Sequence, residues 1–179
     1  MEYLHGVPAW SSAFRRNVSA IKANRLKAVL HAVPPLGGTP CRYSMQVLQT
    51  RYMPEKPFRI LIAEDFDDNR IALKLMLKLS GYEVIEARDG REALTATREK
   101  RPHAIITDIN LPEMDGLSVT RELRRESDFS RTPIIIVSAH DGSEIRASAR
   151  EAGGTAYISK PIEFDELKRL LDSLLSDGN

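Results

Sequence analysis

The side chains with the clearest capacity for chemistry follow short apolar segments that have the pattern of buried strands. Carboxylates stand at two of these ends, Glu64-Asp65 after RILIA and Asp108 after AIIT, while Ser138 and Lys160 follow two later segments. Each of them alone has an ordinary explanation, such as a turn cap, a helix cap, a polar loop or a solvated lysine. Together they occupy the same end of successive strands, which in open α/β sheets is the edge that binds ligands.

The segments that must position these residues alternate between strand and helix patterns five times. Short apolar runs bounded by turn residues are typical of buried strands, whereas apolar residues three and four apart indicate helices. Strands are predicted over 59–63, 82–87, 104–106, 133–137 and 156–158, and helices over 69–79, from Asp89-Gly90 to about 100, and over 117–126, 143–152 and 163–175.

Three details of these elements can be tested against a structure. The helix at 69–79 is predicted to begin at a cap formed by Asp67 or Asp68. Its buried face is predicted to consist of Ile71, Leu75, Met76 and Leu79. Glu83 and Glu86 interrupt the second strand, which indicates an edge of the sheet.

Strands that alternate with helices imply right-handed crossovers and a parallel sheet covered on both faces. If the strand order is 2-1-3-4-5, the first and third strands are neighbours, and their acids meet where the order reverses. Three carboxylates that close require a counter-charge, and an all-oxygen site favours a hard cation such as Mg²⁺. Lys160 would then offer a charge, and Ser138 a hydrogen bond, to an incoming anion.

Composition limits the class of protein. The chain has 179 residues, of which 42% are hydrophobic and 28% charged, as expected of a globular domain with an extension. No apolar run is long enough to span a bilayer. The single cysteine, Cys41, excludes an internal disulfide and fits a reducing cytoplasm, so a cytoplasmic location is expected.

The charge is divided unevenly along the chain. Residues 1–57 contain eight Lys/Arg and two acids, a formal charge of +6, and the remainder carries −5. Residues 11–33 have the pattern of a basic amphipathic helix, suited to a membrane surface, a nucleic acid or an organelle presequence, and 34–57 have that of a linker. The preferred interpretation is an upstream translation start, since a chain beginning at Met53 would still have 127 residues, and the alternative is a disordered extension.

Four stretches resemble the receiver domain of two-component response regulators. They are ILIAED at 60–65, TDINLPEMDG at 107–116, VSA at 137–139 and AYISKP at 156–161. The resemblance covers about residues 58–176. It implies an α/β, flavodoxin-like, doubly wound (βα)5 fold with a parallel five-stranded sheet in the order 2-1-3-4-5.

The resemblance also implies a function and a metal site. Asp108 is expected to accept a phosphoryl group from a histidine kinase, forming an aspartyl phosphate. Asp65, Asp108 and the backbone carbonyl of Asn110 are expected to ligate Mg²⁺, with Glu64 acting through a bound water.

Other family positions carry switching and tuning roles by the same resemblance. Lys160 and Ser138 are expected to assist phosphoryl transfer, and Ser138 to move toward the phosphate while Tyr157 swings inward. From the sequence alone, Tyr157 would be an ordinary half-buried strand residue. Asn110 and His140 occupy positions that tune dephosphorylation, although each would equally suit an inert polar loop.

Two enzyme classes are disfavoured by particular residues. Phosphatases of the haloacid dehalogenase type carry a second Asp two residues after the nucleophile, where this chain has Asn110, which cannot transfer protons. A flavodoxin-like nucleotide site needs Gly, Ser or Thr after the first strand, where this chain has EDFDD. We therefore expect a signalling switch with only self-catalysed phosphotransfer and autodephosphorylation.

The expected partners follow from the family. The sequence stops shortly after the fifth helix, which predicts a single-domain receiver in a phosphorelay, and residues 156–162 resemble such receivers in cell-cycle relays. A sensor histidine kinase or histidine phosphotransfer protein would donate the phosphate, and a downstream protein would bind the switched surface. The alternative is a DNA-binding regulator that uses the basic helix at 11–33, but no helix-turn-helix pattern supports it.

Overall fold

The computed structural model describes residues 57–176, which lie within the second of two compact units, Pro57–Asn179. The expectations for a basic helix at 11–33, a linker and an upstream start fall on residues 1–56 and lie outside the described part. The strands are β1 (Arg59–Ala63), β2 (Glu83–Ala87), β3 (Ala104–Asp108), β4 (Ile134–Ser138) and β5 (Ala156–Ser159). The helices are α1 (Asp67–Leu79), α2 (Gly90–Lys100), α3 (Gly116–Arg125), α4 (Ser143–Glu151) and α5 (Phe164–Ser176), with a 3-10 turn at Ser127–Phe129.

All five strands are parallel and lie in the order β2-β1-β3-β4-β5. Every residue of β3 and β4 is buried, because helices cover both faces of the central strands. The strand with two interrupting glutamates, β2, is an edge strand, as the sequence predicted. The doubly wound (βα)5 fold and its strand order are therefore confirmed.

The register of the sheet brings the strand ends together. Ala63, the last residue of β1, pairs with Thr107 of β3, so the acids that follow β1 emerge beside Asp108. On the other side, β4 and β5 pair up to their last residues, Ser138 with Ser159. The predicted site residues therefore leave the sheet along one edge, as expected for parallel strands.

Helix α1 differs from the prediction in its start and in its buried face. It begins at Asp67 after Phe66, and no side chain caps its first turn. The buried residues are Arg70, Leu73, Met76 and Leu77. Ile71 and Leu75 are instead 56% and 43% exposed, so this part of the predicted face is wrong. Relative to the prediction, the helix is rotated about its axis, because Arg70 rather than Ile71 is buried against the acidic loop.

Helices α2 and α3 begin with conventional caps. The Asp89 carboxylate accepts a hydrogen bond from the Glu92 N–H at 2.7 Å, and the Asp115 carboxylate accepts one from the Ser118 N–H at 2.9 Å. Helix α4 is weakly anchored, because Ala149 is its one fully buried residue. Within residues 57–176, no helix has both the length and the apolar character that crossing a membrane requires.

Candidate functional site

The three predicted acids form one cluster at the carboxyl edge of the sheet. Glu64 and Asp65 follow β1, Asp108 ends β3, and one carboxylate oxygen from each lies within 4.8 Å of the others. Glu64 and Asp108 are buried, with 5% and 7% exposure, whereas Asp65 is exposed. The cluster is therefore anchored in the protein on one side and open to solvent on the other.

Lys160, one residue after β5, supplies part of the counter-charge that three carboxylates require. Its Nζ donates to Glu64 Oε2 at 2.8 Å and also to Asp108 Oδ2. Burial works to lower the pKa of the Lys160 ammonium, but its hydrogen bonds to Asp108 and Glu64 outweigh that effect and raise the pKa. The ammonium therefore stays charged throughout the neutral range.

The loop after β3 holds Asp108 from its other side. The Asn110 N–H donates to Asp108 Oδ1 at 3.0 Å, so both oxygens of this carboxylate have a partner. The Gly116 N–H donates to the Ile109 carbonyl at 2.9 Å, which brings the start of α3 against the strand end. A Cβ at Gly116 would overlap the carbonyl oxygen of Asp108, so only glycine fits this approach.

The predicted switch and tuning residues are linked to one another. Ser138, at the end of β4, is 1% exposed, and its Oγ accepts a hydrogen bond from the His140 N–H at 3.1 Å. The Tyr157 hydroxyl donates to the His140 carbonyl. The guanidinium of Arg146 in α4 lies 4.9 Å from the centre of the Tyr157 ring. A continuous path of contacts therefore leads from Ser138 to α4.

The donor set of the acidic cluster fits a hard divalent cation. Its three carboxylates offer oxygen ligands only, and one lysine cannot balance them all. Asn69 of α1 donates to Glu64 Oε1 at 3.3 Å and so helps to fix that side chain. The structure brings Asn110 to the site through its N–H, and the predicted ligation by its carbonyl stays a prediction.

The sequence interpretation missed one charged residue that touches this site. Arg70 of α1 is 3% exposed and donates to the backbone carbonyls of Glu64 and Asp65. A signal was present, because Leu73 and Leu77 lie three and seven residues after Arg70 and share its face of the helix. The contact of Asn69 with Glu64 was also not predicted from the sequence.

Comparisons with known proteins agree with this geometry. The family model for the response regulator receiver domain matches residues 60–172. The polar-differentiation response regulator DivK of Brucella anthropi is 38% identical over 122 residues, which are 68% of this chain and 99% of that protein. The response regulator MprA of Mycolicibacterium vanbaalenii is 38% identical over 119 residues, 66% of this chain, and the match spans about half (51%) of that protein.

A solved structure shows the same fold. The receiver domain of the sensor histidine kinase PA1611 from Pseudomonas aeruginosa PAO1 matches with a TM-score of 0.63 and 34% identity, covering 67% of this chain and 98% of that one. Its magnesium ion is coordinated in the active site cleft. Receiver domains are signalling switches that interact with histidine kinases and downstream targets. With its family match, its strand order and its acidic edge in agreement, this chain belongs to the response regulator receiver family.

Proposed function

We propose that this chain is a phosphoacceptor switch, in which Asp108 accepts a phosphoryl group from a phosphohistidine in a Mg²⁺-dependent reaction. The observation that carries this proposal is the Asp108 carboxylate itself. It lies within the acidic cluster, with one oxygen bonded to the Asn110 N–H and the other to the Lys160 ammonium. This arrangement fixes a nucleophile beside the positive charge that an incoming phosphoryl group needs.

The transfer step requires little covalent chemistry from the protein. An Asp108 oxygen forms a bond to phosphorus as the bond from phosphorus to the histidine nitrogen breaks, and that nitrogen keeps the electron pair. Lys160, which already bonds Asp108, neutralises negative charge on the phosphoryl oxygens. A Mg²⁺ ion held by Asp65, Asp108, the Asn110 carbonyl and, through water, Glu64 would supply further charge neutralisation when bound.

Hydrolysis removes the phosphoryl group from Asp108 itself. The protein is not proposed to act as a phosphatase on other molecules. An efficient phosphatase needs a group that protonates and deprotonates near the nucleophile, and the Asn110 amide does neither. Asn110 lies two residues after the end of β3, and His140 lies two residues after the end of β4. Both are proposed to tune the lifetime of the aspartyl phosphate.

The phosphodonor is proposed to be a sensor histidine kinase or a histidine phosphotransfer protein. Three large apolar side chains in or just before α1 are exposed, Phe66 at 56%, Ile71 at 56% and Leu75 at 43%. Phe66 directly follows Asp65, and the other two lie one turn apart on α1. Exposed apolar side chains on the helix that follows the acidic loop support docking of a protein that carries the phosphohistidine.

The output is proposed to be a protein-binding surface in a phosphorelay served by a single-domain receiver. Phosphorylation adds about −1.5 to −2 charge at Asp108, if the acyl phosphate ionises as other protein phosphates do. The Ser138 hydroxyl and then Tyr157 would respond, through the contacts that already join them to His140. The cytoplasmic location expected from the sequence stays a prediction.

Incubation with acetyl phosphate followed by intact-mass measurement tests this function. We expect the full chain to gain one phosphoryl group when Mg²⁺ is present and none after chelation of the metal. The Asp108→Asn variant should gain none under either condition. Equal labelling of Asp108→Asn and wild type would contradict the proposal, as would labelling that ignores the metal.

A further inference from the structure

Arg70 is a buried arginine that lies beneath the acidic loop and has no role in the function proposed so far. Its side chain is 3% exposed, although arginines are almost never fully buried unless their charge is paired. It belongs to the first turn of α1, directly after the loop that carries Glu64 and Asp65. Its burial therefore calls for a specific explanation.

The contacts of Arg70 face in two directions. Toward the site, one terminal nitrogen donates to the Glu64 carbonyl at 3.0 Å and to the Asp65 carbonyl at 3.4 Å. The other terminal nitrogen pairs with the carboxylate of Asp67, and Nε lies 3.6 Å from Glu86 Oε2 on β2. The guanidinium is thus held by two acids while it holds the backbone of two site residues.

These contacts bear on the metal site because the carbonyls belong to the residues that would ligate it. A planar guanidinium presents its donors in a rigid fork, so it fixes the peptide planes that it contacts. Fixing the backbone at Glu64 and Asp65 also fixes the directions in which their carboxylates leave the chain. This matters most for Asp65, which is exposed and has little packing of its own.

We propose that Arg70 is a positioning residue that sets the Mg²⁺ affinity of the site by holding the Glu64 and Asp65 carbonyl oxygens. The inference rests on the proposed function, because it assumes that these acids bind Mg²⁺. Groups that orient metal ligands typically change metal affinity by about 10–100-fold when they are removed.

Charge and position predict opposite results for the removal of Arg70. A cation next to the acidic cluster repels Mg²⁺, so charge alone predicts tighter binding after Arg70→Met. Loss of the oriented carbonyls predicts weaker binding. The sign of the change therefore separates the two effects.

Lys74 offers a matched control for the ion pair with β2. Its ammonium pairs with Glu86, the same acid that Arg70 approaches, and it belongs to the same helix. Its side chain is 34% exposed, and its ion pair is with Glu86 of β2 rather than with the acidic loop. Lys74→Met therefore removes a cation from α1 and a partner from Glu86 while leaving the Glu64 and Asp65 carbonyls bonded.

The test is a Mg²⁺ titration of the full chain. Binding is monitored through the backbone amide signals of the acidic loop in two-dimensional NMR. We expect Arg70→Met to weaken Mg²⁺ binding about tenfold or more. Arg70→Lys keeps the charge, and with it the repulsion of Mg²⁺, but loses the fork, so it should bind Mg²⁺ more weakly than wild type. Lys74→Met should bind as wild type does. Excess Mg²⁺ should restore labelling of the Arg70 variants by acetyl phosphate, which a purely structural defect would not allow.

Arg70→Lys carries the test if Arg70→Met does not fold, as judged by circular dichroism. Mg²⁺ binding by the folded Arg70 variants as tight as, or tighter than, that of wild type would overturn the positioning role while leaving the proposed function intact. Wild-type protein that shows neither saturable Mg²⁺ binding nor labelling would instead overturn the proposed function, and the inference with it.

Discussion

At the residue scale, one ammonium is shared between two of the three site carboxylates. Lys160 bonds Glu64 and Asp108, while Asp65 faces solvent. The buried pair is thereby partly neutralised before any metal binds, and the exposed acid is left to receive a cation. This division explains how a cluster of negative charge is compatible with a folded edge of the sheet.

His103 is a second residue whose charge state is set by its surroundings, at the opposite end of β3. Its Nδ1 accepts a hydrogen bond from the Arg59 N–H at 2.8 Å, and its ring packs edge-on against Phe58 with centroids 5.3 Å apart. Burial, assisted by the charge of Arg59, lowers the pKa of His103. The folded state therefore favours the neutral imidazole.

The lowered pKa predicts a loss of stability in mild acid. Because the folded pKa lies below the unfolded value of about 6.5, the unfolded chain takes up the proton first as the pH falls through that value. The melting temperature should therefore drop between about pH 7.5 and pH 5.5, and the drop should be smaller in His103→Gln. Identical drops in the two proteins, measured by circular dichroism, would contradict this role of His103.

Individual residues also show what the sequence could and could not reveal. Glu64, Asp108 and Lys160 were predictable because each follows an apolar strand, and parallel strands bring their ends together. Arg70 was harder to predict, because a charged helix residue is ordinarily solvated, and its burial depends on pairing with two acids and on contacts with two carbonyls. Ile71 was wrongly assigned to the buried face, because apolar spacing alone cannot show that the neighbouring Arg70 is buried in its place.

At the scale of elements, the connection between β3 and α3 is closely packed against the site. Gly116 begins α3 against the end of β3, and an added Cβ would meet the Asp108 carbonyl and lie 2.8 Å from Thr107 Oγ1. Both neighbours are buried and cannot move aside easily. The position of the acceptor therefore depends on a glycine in a different element.

Gly116→Ala should disturb both stability and labelling. Overpacking of this kind costs about 1–3 kcal/mol, which lowers the melting temperature of a domain this size by several degrees. Labelling by acetyl phosphate should also slow, because the strand end that carries Asp108 must shift. Gly142→Ala is the matched control, since nothing lies within 4 Å of a Cβ there. Indistinguishable melts and labelling rates for the two variants would refute this account of the connection.

Strands and their order were easier to predict than helix starts. The five apolar runs define β1–β5, and alternation with helices leaves few topologies. The start of α1 was predicted to be capped by Asp67 or Asp68, but both lie inside the first turn, where a carboxylate also interacts well with the helix dipole. Asp is favourable both at the N-cap and in the first turn of a helix, so the sequence alone does not distinguish the two positions.

At the scale of the whole molecule, phosphorylation of Asp108 must change a surface that a partner binds. A ligand or modification acts by favouring one of two pre-existing arrangements, so some element must be able to adopt both. Helix α4 is suited to this because Ala149 is its one fully buried residue, and Arg146 connects it to Tyr157. We propose that α4, β5 and α5 form the partner-binding face.

Amide hydrogen exchange with and without beryllofluoride, a phosphoryl mimic, tests this output face. Changes in protection should concentrate in residues 138–165. The Ser138→Ala variant should still be labelled at Asp108 but should lose those changes, because the hydroxyl that bonds the His140 N–H is gone. Changes confined to residues 68–100 would place the output elsewhere and contradict the proposal.

The most direct test of the central claim is to find which side chain carries the phosphoryl group. After labelling with acetyl phosphate and Mg²⁺, borohydride reduces an aspartyl phosphate to homoserine, and tandem mass spectrometry locates that residue. We expect homoserine at position 108 in wild type and at no position in Asp108→Asn. Reduction at Asp65 with Asp108 unmodified would contradict the central claim.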